Sequence, residues 1–144
     1  MEKFEKSELA EDTIIIFTTD HATYQDDSFV KAFPDWFRAY TFCDEIPLWI
    51  YYKGITTEII DVKGRNTLGL APTILDYLDI SAPNYFLGSS LFAPEANSSF
   101  ETYFTESFVY LDTKDGEIRY LSEEEKNIFI AMLQDYFYIT SLGE

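Results

Sequence analysis

One cysteine, Cys43, and one histidine, His21, are all that 144 residues offer of the two side chains most used as nucleophiles and metal ligands. A lone cysteine cannot close an intrachain disulfide, so cysteine usage does not assign the chain to an oxidising or a reducing compartment. Any Ser-His or Cys-His catalytic pair must use His21, and Cys43 stands in no recognisable nucleophile context. A glycine-rich phosphate loop, a C-x-x-C pair, an internal repeat and a low-complexity tract are also missing. No apolar run has the length of a transmembrane helix, and Met1-Glu2-Lys3-Phe4-Glu5-Lys6 has no signal-peptide character. The expectation is a soluble piece without direct membrane contact.

Positive charge is equally scarce, with 10 Lys and Arg against 26 Asp and Glu and a formal net charge of −16. Such a surface repels phosphate backbones, and no Lys/Arg cluster makes a local exception, so nucleic acid is excluded as a partner. Anionic lipid headgroups are disfavoured for the same reason. Divalent cations are the ligands this field favours. What the chain does have is apolar and aromatic substance: 47% hydrophobic residues, with 13 Phe, 11 Tyr and 2 Trp. That is too much for a disordered acidic tail, and a packed core in a single domain or part of one follows.

Residues 4–9 are good helix formers. Residues 13–19, Thr-Ile-Ile-Ile-Phe-Thr-Thr, form a β-branched run bounded by polar residues, and this reads as a buried strand. Apolar residues on consecutive positions predict cover on both faces, as in a mostly parallel α/β sheet with flanking helices. Phe29, Phe33, Trp36, Phe37 and Tyr40 recur at helical spacing, with Asp26 or Asp27 as N-cap and Pro34 dividing the segment into two short pieces. Residues 46–52 read as a second strand, residues 56–61 as a short third, and Lys63-Gly64 as a turn. Residues 71–78 read as a helix with Pro72 in its first turn and Ile74, Leu75 and Leu78 on its buried side. Residues 84–99 read as an extended loop with Leu91 and Phe92 tucked in. Asp115-Gly116 supplies the positive φ of a hairpin turn between residues 100–111 and 117–121. Ser122 and Glu125 make a capping box, and Phe129, Met132, Leu133, Tyr136 and Phe137 give the last helix its apolar stripe.

Asp20-His21 follows the first strand directly. Consecutive strand residues point to opposite faces, so two neighbours serve one site only where the strand has ended and the backbone turns. The carboxyl ends of strands are also where open α/β sheets bind ligands. A carboxylate and a neutral imidazole are a suitable partial ligand set for zinc or manganese, needing further donors. Asp26, Asp27, Asp44 and Glu45 are the nearby acids that could supply them, although helix capping or solvation explains each. Taken alone the dipeptide is weak evidence, because a capping Asp followed by a surface His also explains it. Glu123-Glu124-Glu125 is accounted for by the macrodipole of the last helix. The aromatic stripe of residues 29–40 reads as core before it reads as a binding face. Arg65-Asn66-Thr67 could reach an anion, but a turn accounts for it.

Three segments in order resemble the C-terminal half of the sulfatase and phosphoglycerol-transferase families of the alkaline phosphatase superfamily. Asp12-Thr13-Ile14-Ile15-Ile16-Phe17-Thr18-Thr19-Asp20-His21 is similar to the strand that ends in a metal-binding Asp-His. Ile46-Pro47-Leu48-Trp49-Ile50-Tyr51 is similar to the VPLIIY-type strand that follows it. Leu70-Ala71-Pro72-Thr73-Ile74-Leu75-Asp76-Tyr77-Leu78-Asp79-Ile80 is similar to the LAPTILDLLGI helix, and Leu87-Gly88-Ser89-Ser90-Leu91-Phe92 to the LGRSLL that comes after. With residues 4–9, like the helix before the first strand, the resemblance covers about residues 3–92.

The resemblance implies that Asp20 and His21 ligate the catalytic divalent ion, Mn²⁺ in the lipoteichoic-acid-synthase-like branch and Ca²⁺ or Zn²⁺ in others. It implies that the nucleophile and the remaining ligands lie in an N-terminal half that this chain lacks, so that the chain is a single C-terminal subdomain, inactive alone. That missing half is then its expected partner, and a homo-oligomer through an open sheet edge the alternative, in which the chain is a non-catalytic self-associating module. The parent is expected to be membrane-anchored with its catalytic domain outside the cell. Ala22 stands where the family usually has Gly, and Leu68-Gly69-Leu70 where it commonly has Ile-Asp-Leu. The absence of a Gly-Glu continuation after Asp20-His21 favours the phosphoglycerol-transferase-like branch.

Overall fold

The structure, a computed structural model, describes residues 2–21, 24–35, 43–83, 85–106 and 108–141. The chain divides into two compact units at Ile59/Ile60. It is a mixed α/β chain with small antiparallel sheets and a long C-terminal helix.

In the first unit, helix α1 (Glu2–Glu5) and a 3₁₀ turn (Glu8–Glu11) lead into strand β1 (Ile15–Thr18), followed by helix α2 (Asp27–Ala32) and strand β2 (Leu48–Tyr51). Residues 4–9 thus break at Ser7, whose hydroxyl donates to the Phe4 carbonyl at 2.7 Å and competes with helix continuation. β1 and β2 pair antiparallel, with Ile15 opposite Tyr51 and Thr18 opposite Leu48. Strict alternation then places Ile15, Phe17, Trp49 and Tyr51 on one face and Ile16, Thr18, Leu48 and Ile50 on the other. Phe4 of α1 packs edge-on against Tyr51 at 6.1 Å, and the Tyr51 hydroxyl donates to Glu5, which holds the phenol above its ordinary pKa. Phe17 and Trp49 stack at 5.3 Å but stay 50% and 67% exposed. The cover on both faces and the parallel partners predicted for β1 are therefore not what its described neighbours provide.

Asp26 caps α2 by accepting from the Phe29 amide at 2.8 Å, and Phe29 is buried. The helix ends at Ala32, before Pro34, which disfavours helical backbone in the residue before it. The second helical piece expected beyond Pro34 falls largely on residues outside the described set. Residues 56–61, expected as a short strand, are exposed coil, with Ile59 95% exposed, because no strand among the described residues supplies a hydrogen-bonding partner.

The second unit continues with helix α3 (Leu70–Tyr77), strands β3 (Tyr103–Glu106), β4 (Val109–Asp112) and β5 (Arg119–Tyr120), and helix α4 (Glu123–Ser141). The three strands form an antiparallel meander in the order β3-β4-β5. The Lys63-Gly64 turn has φ of 53° and 73°. A Cβ on Gly64 would lie 1.6 Å from the Thr113 carbonyl oxygen, so both the backbone conformation and the close approach require glycine there. Asp115 and Gly116 adopt φ of 57° and 76° between β4 and β5, as the Asp-Gly signal requires. The capping box closes in both directions: the Ser122 amide donates to Glu125 at 2.9 Å and the Glu125 amide to the Ser122 hydroxyl at 3.3 Å.

Phe129 of α4 is 4% exposed and meets Phe100, Tyr103 and Tyr110 at 5.2–6.4 Å between ring centres, which makes it the centre of this unit's aromatic core. Phe137, expected on the same stripe, is 63% exposed, and Leu78 of the α3 segment is 47% exposed. Among the described residues, no helix is long and apolar enough to cross a membrane.

The loop expected between α3 and the sheet is held by polar groups. Arg65 donates to the carbonyls of Ser90 and Ala93 at 2.9 Å, and also to that of Leu91. Thr73, 1% exposed, donates to the Gly69 carbonyl and accepts from the Leu91 amide. Leu91 is buried by this clamp. Phe92 stays 38% exposed while its ring lies 5.7 Å from that of Tyr77.

Candidate metal-ligating pair at the end of β1

β1 ends at Thr18, opposite the first residue of β2, and the chain bends at Asp20 and His21. The backbone is therefore released from the pleat just where both side chains must point the same way. The Asp20 carboxylate accepts from the His21 amide at 3.0 Å through Oδ1. Its other oxygen, Oδ2, lies 3.7 Å from Nε2 of the imidazole. Two donors about 2.0–2.1 Å from one tetrahedral ion stand about 3.3 Å apart, so the pair sits a few tenths of an ångström wider than joint ligation needs. Both side chains are open to solvent, the imidazole 53% and the carboxylate 89% exposed, so an ion meets no barrier of burial. The donor set, one hard carboxylate oxygen and one borderline imidazole nitrogen, fits a divalent ion of the Mn²⁺ or Zn²⁺ type.

The acids that could complete the set are not brought to the pair. Asp26 spends its carboxylate on the α2 cap, Asp27 is the first residue of that helix, and Asp44 and Glu45 lie exposed in the coil before β2. Among the described residues, no three His, Cys, Asp or Glu side chains gather around one point. Asp20 and His21 thus stand as two donors.

Comparison with family models, with curated proteins and with solved structures returns no match.

The other sequence candidates resolve into structure. Burial, and secondarily the charge of Asp44, pushes the Cys43 thiol up, which opposes the thiolate a nucleophile needs. Arg65 is consumed by four carbonyls, those of Val62, Ser90, Leu91 and Ala93. Asn66 donates to the Phe100 and Tyr103 carbonyls at 2.7 and 3.2 Å and accepts from the Leu68 amide, so neither reaches for an anion. Glu125 is held at about pKa 2, chiefly by the Arg119 guanidinium and then by the Ser122 amide and hydroxyl. Arg119 also donates to Asp112 at 2.7 Å. The shallow depression of about 340 Å³ that Asp112 and Arg119 line with Lys114, Asp115 and Glu117 is therefore built around an ion pair that is already made.

One neighbour of the pair carried no signal in the sequence. The Tyr24 ring lies 4.8 Å from the imidazole of His21 at an interplanar angle of 43°. A single aromatic three residues after a histidine has no period, so pattern reading passes over it.

Proposed function

We propose that the chain is the C-terminal part of the catalytic domain of a metal-dependent phosphoglycerol transferase or sulfatase-type hydrolase acting on a phosphodiester or sulfate ester. Asp20 and His21 are two ligands of its divalent ion, Mn²⁺ first, with Zn²⁺ and Ca²⁺ as the other candidates. The observation that supports this best is the placement of the pair: adjacent, accessible and convergent, at the end of the strand that pairs with the other family-like strand. When bound, the ion lowers the pKa of the attacking hydroxyl and stabilises charge developing on the ester oxygens. The two side chains of this chain hold it and take no part as base. The nucleophile and the remaining donors come from the N-terminal half of the domain, the partner that would also cover the Phe17/Trp49 face. In that domain β1 belongs to a mostly parallel sheet of the alkaline phosphatase kind. Large sheets of that kind often carry an antiparallel strand at the margin, and β2 fits that place. The parent is membrane-anchored with this domain outside the cell.

The test is made on the native polypeptide, captured from the source cells with an antibody raised against this chain. It is expected to be well above 16.8 kDa and to hydrolyse an aryl phosphodiester or sulfate ester with Mn²⁺. Chelation should abolish turnover, and His21→Ala should lower it by about a hundredfold or more, as loss of a direct ligand exceeds the 10–100-fold typical of an outer-shell partner. The purified 144-residue chain is expected to show no turnover. A native band at 16.8 kDa without activity would instead support a non-catalytic module that self-associates through the β1–β2 edge. The exposure of Phe17 and Trp49 favours that second reading, and it requires a dimer or larger species on sizing.

A further inference from the structure

Four asparagines stand in the chain, and only Asn97 is followed two residues later by a hydroxyl, in Glu95-Ala96-Asn97-Ser98-Ser99. Asn-x-Ser, with any residue but proline between, is the acceptor signature for N-linked glycan transfer, and so short a match gains meaning only from its setting. Here the setting supplies what the transfer needs. The segment lies in the loop after α3, with Asn97 and Ser99 exposed and Ser98 half-buried. Ser98 has extended backbone, φ −152° and ψ 161°, so the side chains before and after it point the same way. Its own hydroxyl turns inward and donates to the Leu87 carbonyl at 3.3 Å. The acceptor amide and the hydroxyl two residues on therefore share one outward face. That face is fixed from beneath, because the Asn97 backbone amide donates to the buried Glu101 carboxylate at 2.7 Å.

Asn66 shows what an asparagine used for structure does: its side chain accepts from the Leu68 amide and donates to the Phe100 and Tyr103 carbonyls. The side-chain amide of Asn97 makes no hydrogen bond among the described residues, and neither does the hydroxyl of Ser99. Turn formation and capping thus leave both groups unused.

We propose that Asn97 is an N-glycosylation site. Its Nδ2 attacks the anomeric carbon of a glycan carried on a lipid pyrophosphate. The new C–N bond forms as the C–O bond to the pyrophosphate breaks, the lipid pyrophosphate leaves with the electron pair, and the amide proton passes to a basic group of the membrane transferase. The Ser99 hydroxyl is the group by which that enzyme holds the segment, and Glu95, exposed two residues before the acceptor, offers it a charge for a cationic groove. The proposal rests on the placement of this domain outside the cell, the side of the membrane on which such transfer takes place.

The test is made on the native polypeptide captured from the source cells and digested for mass spectrometry. A glycan mass is expected on the Asn97 peptide, lost completely in Asn97→Gln and Ser99→Ala and kept in Ser99→Thr, which retains the hydroxyl. Both positions are exposed, so these replacements leave the fold in place. In parallel, protease is added to cells stripped of their outer layers with the plasma membrane intact. A bare Asn97 on a polypeptide that this protease digests would overturn the modification and leave the domain outside the cell. A bare Asn97 on a polypeptide digested only after lysis would remove the outside placement and the modification together. A glycan that persists in Ser99→Ala would overturn transfer through this signature.

Discussion

Glu101 has the most demanding environment of any single residue in the second unit. Its side chain is fully buried and its carboxylate accepts from the Ser89 hydroxyl at 2.8 and 3.0 Å and from the Asn97 amide at 2.7 Å. Burying a carboxylate is costly unless such partners replace water. Here they do so from the loop that precedes the sheet, so the same bonds that satisfy the charge also fix the loop. Glu101→Ala strands a hydroxyl and an amide in the interior. It is expected to cost about 2–3 kcal/mol, read as a lower urea midpoint for the unfolding of this unit. A loss under about 0.5 kcal/mol would mean that water replaces the carboxylate. The two residues proposed as metal ligands are the opposite case: the side chains of Asp20 and His21 are exposed and contribute little to folding.

Among the elements, α4 is the one whose start is specified in detail. Three acids stand in its first turn, Ser122 and Glu125 bond reciprocally, and Arg119 of β5 reaches Glu125 at 2.9–3.0 Å, which ties the hairpin to the helix. Ser122→Ala removes one half of the cap and should destabilise by about 1 kcal/mol. The acid limb of the stability curve carries a second signature. The folded-state pKa of Glu125, about 2, lies below its ordinary value of 4.5. Its contribution is therefore fully present above pH 4.5 and lost as the pH falls toward 2. Glu125→Gln should flatten that part of the curve in chemical denaturation followed against pH. An unchanged slope would show that the Arg119 bond is not kept in solution.

For the whole molecule the division at Ile59/Ile60 is the main fact, since the exposed coil of residues 56–59 joins two compact units. Exposed extended segments are where proteases cut first. A glutamate-specific protease is expected to cleave after Glu58 before it cleaves within the first turn of α4, giving fragments of residues 1–58 and 59–144 by mass spectrometry. Initial cleavage at Glu123 to Glu125 would show that α4 opens more readily than the coil. The net charge of −16 acts at this scale as well. Its field repels polyanions and attracts divalent cations toward the surface.

Local features could be read from the sequence because their causes are local. Asp115-Gly116 forces a positive-φ turn, Ser122 and Glu125 reach each other across one helical turn, and Asp26 meets the Phe29 amide three residues on, so no distant residue is consulted. The same holds for the adjacency of Asp20 and His21 at a strand end. Which strand lies beside β1, and in which direction, could not be read that way. A run of consecutive apolar residues calls for cover without naming it, and β2 supplies antiparallel pairing on one side. Nor do residues 56–59 become a strand through propensity, since a strand exists only when a neighbour completes its hydrogen bonds. Composition and short-range chemistry by themselves determined the charge, the turns, the caps and the adjacent pair of donors. Long-range contacts decided that Glu101 is buried, that Phe137 and Leu78 are exposed, and that Tyr24 lies against His21, because burial and stacking depend on what the rest of the chain brings alongside.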